Sequence, residues 1–165
     1  MFSLNAPVPG DLKRFASDLA PALLAFDSVR ERHALVLKRF EEGSIDRIRA
    51  ETRRVLDGEP PVEARATGIG VFSDPLTPPG PVVYLAIESP GLRRLHGLLV
   101  ETFGAVEGFE GDDYVPHVTL ARGGSAEAAE RLRDRSVDPI AWTVRELRFW
   151  DARGRESVGR VSLSG

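Results

Sequence analysis

The chain has 165 residues, 42% of them hydrophobic and 28% charged, a composition that suits one domain, or two small lobes sharing a core. A net charge of −3 removes bulk attraction to duplex nucleic acid, and the absence of cysteine excludes disulfides, thiolate nucleophiles and cysteine-ligated zinc or iron–sulfur centres. No apolar run is long enough to span a bilayer, and the opening "MFSLNAPVPG" has neither a basic nor an apolar leader region, so a cytoplasmic protein with no membrane contact is expected.

In chain order, Phe2 and Leu4 alternate as in a short strand, and Pro9, Gly10 and Asp11 mark a turn and a helix start. Leu12, Phe15, Leu19 and Leu23 recur at helical spacing, with Pro21 expected to kink or restart the helix. "VRERHALVLKRF" reads as one strand. Ser44 caps a helix with Ile45, Ile48, Thr52, Val55 and Leu56 along one face, ended by Gly58 and Pro60-Pro61. "VEARATGIGVF" alternates and then meets two glycines, as a bent or bulged strand does. "DPLTPPGP" is a turn-rich loop, and "VVYLAIES" is the most continuous apolar run, expected at the centre of a sheet. Ser89-Pro90 starts a helix with Leu92, Leu95, Leu99 and Phe103 as its buried stripe and Gly104 as its stop. "YVPHVTLAR" is a strand, Ser125 caps the helix "AEAAERLRD", and "AWTVRELRFWDAR" and "RVSLSG" form two strands around a turn at Gly154. The order of elements in the second half echoes the first. The expected fold is therefore α+β, a single domain over residues 1–165 built from two pseudo-symmetric lobes of antiparallel sheet and helices around a central cleft.

Three histidines are candidates for chemistry: His33, His96 and His117. His96 lies beside the apolar stripe of its helix and reads as a packed residue. His117 and Thr119 stand two apart in a strand, so they share a face while Val118 and Leu120 point into the core. An imidazole moves protons near neutral pH, a hydroxyl can bind a phosphoryl oxygen, and Arg122 adds a fixed positive charge beyond them. On these grounds alone a satisfied structural histidine fits as well as a site.

"PHVTLAR" resembles the second signature of the two-histidine phosphoesterase superfamily, the 2′-5′ RNA ligase-like and RNA 2′,3′-cyclic phosphodiesterase family. The length, element order and "FSLNAPVP" opening fit it too, so the resemblance covers most of the chain. It implies two lobes that each donate an H-x-[ST] motif to a shared cleft, acting on RNA ends or small cyclic nucleotides with no metal and no cofactor. One histidine is then general base and the other general acid, and the two hydroxyls hold the phosphate. His117 and Thr119 carry that motif here, flanked by Pro116, Leu120 and Arg122.

The first motif departs from the pattern. His33 is the histidine of that strand, and Leu35 stands where a hydroxyl residue is expected. Matching Lys38 and "RFEEG" to the usual flank puts the expected pair on Ala34 and Val36, leaving His33 one residue early and on the opposite face unless a bulge near 32–34 turns it back. Two accounts of His33 follow: a bulge aims it at His117, or it points away and the protein keeps half a site. Two functions follow as well: a metal-independent phosphoesterase with His117, Thr119 and His33 as catalytic residues and Arg122 and Tyr114 contacting substrate, or a weakened or inactive relative that binds RNA or nucleotide phosphates. Tyr114 is the aromatic residue expected to stack on a base. Neither lysine sits in a P-loop, Gly68 and Gly70 lack a third glycine and a helix start, and no lysine lies in a K-x-D-G ligase motif. A monomer is expected.

Overall fold

The computed structural model describes residues 1–165. Nine strands and five helices follow the expected order with two exceptions. The strands are β1 (Phe2–Ala6), β2 (Ser28–Val29), β3 (Leu35–Phe40), β4 (Val62–Phe72), β5 (Val82–Glu88), β6 (His117–Arg122), β7 (Ile140–Val144), β8 (Glu146–Asp151) and β9 (Glu156–Ser162). The helices are α1 (Gly10–Asp18), α2 (Ala20–Leu23), α3 (Ile45–Val55), α4 (Pro90–Phe103) and α5 (Ala126–Arg133).

The starts and stops have identifiable causes. Ser44, Ser89 and Ser125 each accept from a backbone N–H of the first turn, at 3.3, 3.1 and 3.1 Å, satisfying donors that a helix start leaves unpaired. Ser89 also donates to the Glu63 carbonyl at 2.6 Å, tying α4 to β4. α4 ends at Gly104, whose φ of +78° lies in the region that favours glycine. Pro21 lies in the first turn of the separate short helix α2.

The strands form one curled antiparallel sheet in the order β7-β4-β5-β6-β3-β1-β8-β9, with β2 pairing to β6. It divides into two four-stranded halves, β7-β4-β5-β6 and β3-β1-β8-β9, joined where Leu35 of β3 pairs with Val118 of β6. α4 packs on β3 and β4, and α5 on β4 and β5. A single buried apolar cluster of 34 residues runs through both halves, so they share one core. Leu35, Val118, Leu120 and Phe149 are fully buried in it, each stabilising the fold by about 1.5–3 kcal/mol.

The first exception is at 28–40, where the expected single strand is two, separated by the loop 30–34. The second is at 140–151. Arg145 interrupts the expected strand, and β7 pairs with β4 while β8 pairs with β1 in the other half of the sheet. The sheet curls enough for one residue to carry the chain between its halves. The glycine-bearing β4 is bulged against β5 between Ala66 and Gly68, as expected. No helix is long and apolar enough to cross a membrane.

Candidate functional site

The cleft opens where the two halves meet. It has two chambers of about 760 and 620 Å³ that share Arg30, Val36, Arg39, His117 and Thr119 as a common waist. β6 presents His117 and Thr119 to the waist because Val118 and Leu120, on the alternate face, are fully buried in the core.

The His117 ring is tightly placed. Nδ1 lies 2.6 Å from the Val115 carbonyl and donates its proton there, which leaves Nε2 as the unprotonated nitrogen of the neutral ring. Phe72 and Tyr84 meet the ring edge-on at 5.2 and 5.3 Å. Tyr84 stacks on Phe72 at 4.2 Å, and its ring occupies the space above Gly70 that any Cβ would fill. Burial among these groups pushes the His117 pKa down. The hydrogen bond to Val115 opposes that shift, and the positive charge of Arg39 adds to it. The ring is thus neutral near pH 7, with Nε2 available as a base. Neither Nε2 nor the Thr119 hydroxyl has a hydrogen-bond partner within the protein.

His33 does not join them. It lines neither chamber, whereas its neighbour Ala34 and Val36 do. Leu35 and Leu37 are buried in the core, and His33, in the loop that precedes β3, is half-buried and close enough to Lys13 of α1 for the ammonium to lower its pKa, after the larger effect of burial. The expectation that a bulge aims His33 at His117 is therefore corrected. β3 does carry a bulge, but at Leu37, where the partners of Leu4 and Asn5 on β1 skip from Lys38 to Val36. That is too far along the strand to turn residue 33. Extending the Leu35–Val118 pair by one residue each way sets Ala34 opposite Thr119 and Val36 opposite His117. The positions facing the motif are filled by a methyl and an isopropyl group.

Tyr114 is also placed differently. It is buried, its ring stacks on His96 at 3.9 Å, and its hydroxyl donates to the Val36 carbonyl at 2.9 Å. Burial drives its pKa well above the usual phenol range. Only an edge reaches the larger chamber, so the residue expected to stack on a base instead braces β3. The exposed Phe109 and Leu76 supply the apolar surface there. His96 is the packed residue expected: Nδ1–H donates to Leu37 O at 2.7 Å and Nε2 accepts from Gly111 N–H at 2.9 Å, which fixes a neutral tautomer. Arg122 lines the larger chamber and donates to Thr77 O at 3.0 Å, while its buried Nε has no partner.

The sequence reading missed four more arginines of the cleft, Arg30, Arg32, Arg39 and Arg155. None of the five cleft arginines forms an ion pair. Arg39 is set by its neighbour: Lys38 is buried against Glu110 at 2.5 Å, and Glu110 also accepts from the Arg39 and Val106 backbone N–H groups at 2.7 and 3.0 Å. That buried pair pins the 104–114 loop to β3 and leaves the Arg39 side chain in the waist. Alternation of charged residues along 30–39 carried no sign of which faced a cleft, because the bulge at Leu37 changes the face midway.

A model of the 2′-5′ RNA ligase superfamily matches residues 10–156. Three solved structures share the fold over 99% of this chain. They are TT0787 of Thermus thermophilus (20% identity, 98% of that chain, TM-score 0.70), E. coli LigT complexed with 3′-AMP (19%, 98%, 0.68) and E. coli LigT complexed with NADP+ (20%, 97%, 0.65). No curated protein matches the chain by sequence.

Proposed function

The chain belongs to the 2′-5′ RNA ligase superfamily, and from that premise we propose that its cleft binds the phosphate of an RNA end or a small nucleotide, with turnover far below that of a two-imidazole site. One observation carries the reading. His117, Thr119 and arginines without ion-pair partners converge on a single waist, facing a strand that offers Ala34 and Val36 in place of a second imidazole and hydroxyl.

The chemistry of the waist suits a phosphoryl group. Thr119 can donate its hydroxyl to one oxygen, and the Arg30 and Arg39 forks can offset the charge. Opening a 2′,3′-cyclic phosphate takes two proton transfers: one from the attacking water and one to the departing oxygen. His117 Nε2 can serve one of them, and the other falls to solvent. A positioned acid or base contributes about 10²–10⁴-fold, and the loss of one defines the expected deficit. A paired mechanism through His33 and His117 is not part of this reading, because His33 lines neither chamber. E. coli LigT has been crystallised with 3′-AMP, ATP and NADP+, phosphate-bearing ligands of the class offered to this cleft.

Calorimetric titration with 3′-AMP, with a chelator present, tests the reading. Binding is expected, weakened tenfold or more by Thr119→Val, since one hydrogen bond to a charged group contributes about 1.5–3 kcal/mol. Absence of binding by 3′-AMP and by 2′,3′-cyclic AMP refutes it. Rapid cyclic-phosphate hydrolysis that His33→Ala abolishes restores the paired mechanism instead.

A further inference from the structure

The two chambers differ in charge. The larger is lined by Arg30, Arg39 and Arg122 against Glu41, Asp74 and Asp113, so its charges balance. The smaller has Arg30, Arg32, Arg39 and Arg155 against Glu31 alone. An excess of guanidinium in one chamber calls for an anion there, and the waist provides for only one phosphate.

The far end of the smaller chamber is built rather than incidental. The Arg32 guanidinium lies over the Trp150 ring, 3.6 Å from its centre, a cation–π contact. The Asn5 amide, oriented so that both of its ends are satisfied, accepts from Arg32 at 3.1 Å and donates to Ser3 Oγ at 3.0 Å. Arg155 enters from the β8–β9 turn with φ of +54°, while the adjacent Gly154 does not adopt that left-handed conformation. The turn thus gives its glycine-favouring position to an arginine. Burial lowers the Arg32 pKa and the neighbouring Arg155 charge lowers it further, the mark of two like charges left without a counter-ion.

Spacing identifies the class of ligand. Asn5, which holds Arg32, pairs with Val36 of β3, and Val36 lies opposite His117, so the Arg32 guanidinium stands two strands, about 10 Å, from the strand of His117 and Thr119. That exceeds what the single bridging oxygen of a diphosphate can span, and it suits consecutive phosphates along an extended strand. We propose that Arg32, Trp150 and Arg155 form a second phosphate subsite, which holds the internal phosphodiester of a single-stranded oligonucleotide whose terminal phosphate lies at His117 and Thr119. This rests on the reading given under Proposed function and adds to it that the ligand is a chain rather than a mononucleotide.

The test compares 3′-AMP with the dinucleotide ApAp, which carries a 3′-terminal phosphate, by calorimetry at 50 and 200 mM salt. ApAp is expected to bind about tenfold or more tightly than 3′-AMP, with a salt slope steeper by about 0.7, the share of one further phosphate on a single strand. Arg155→Gly and, separately, Arg32→Gln are expected to cut that ratio at least fivefold. Arg155→Gly relieves the left-handed position, so an undiminished melting temperature shows that the turn has kept its form. Binding of 3′-AMP with no ApAp advantage, or an advantage that survives both substitutions, overturns the subsite alone. Failure of both ligands to bind overturns the subsite together with the reading beneath it.

Discussion

Replacing Ala34 by histidine and Val36 by threonine is expected to turn the cleft into an efficient cyclic phosphodiesterase. The register sets residue 34 opposite Thr119 and residue 36 opposite His117, where directly opposed side chains have Cβ atoms about 4.5–5.5 Å apart. The two substitutions supply the missing proton-transfer group and the missing hydroxyl on the correct face. Residues 34 and 36 are half-buried and open onto chambers of about 620 and 760 Å³, so an imidazole has room. Val36→Thr keeps the branched shape, and the Tyr114 hydrogen bond to the backbone carbonyl of residue 36 is unaffected. Placing a hydroxyl there costs about 1–3 kcal/mol before it finds a partner, which a domain of this size can absorb. The gain from a second acid–base group is about 10²–10⁴-fold in rate. The assay is hydrolysis of 2′,3′-cyclic AMP with a chelator present, comparing kcat/KM for the native chain, the double variant, and the double variant carrying His117→Ala. A rise of a hundredfold or more that His117→Ala removes is the expected result. A folded double variant no faster than the native chain refutes the register argument.

His33→Ala is expected to leave 3′-AMP affinity within twofold of native, read by calorimetry, because the ring lies outside both chambers. Glu110→Ala strands the buried Lys38 ammonium and two backbone N–H donors, and is expected to lower unfolding stability by about 3–5 kcal/mol in denaturant titration. All three imidazoles have pKa values below the usual 6.5, chiefly through burial, so the unfolded chain binds more protons just below that pH. Stability is then full above pH 6.5 and falls as pH drops toward the folded-state values; a melting temperature that rises on acidification through this range contradicts the assignment.

Much of the architecture was legible because local signals agreed with the tertiary outcome. The serines at 44, 89 and 125 cap helices as read, and the β6 alternation put Val118 and Leu120 inside and His117 and Thr119 outside. Arg145 was not legible: no glycine or proline marks the strand switch there, and only the curl of the sheet brings the two halves near enough to exchange strands. His33 was half legible. The flank of Lys38 gave the register that leaves it off the cleft, while its nearness to the motif suggested a bulge that β3 instead places at Leu37. Tyr114 misled because a single sequence does not show that His96, eighteen positions earlier, would cover its ring. The cleft arginines were hidden among the many others, since ion-pairing is what separates them and pairing is tertiary.

The central claim is that one imidazole, and only one, faces the ligand. Imidazole NMR resonances of His33, His96 and His117, followed during titration with 3′-AMP, test it most directly. A saturable shift of the His117 ring, with the His33 and His96 rings unmoved, is the predicted result; equal saturable shifts at His33 and His117, or none at His117, contradict the account.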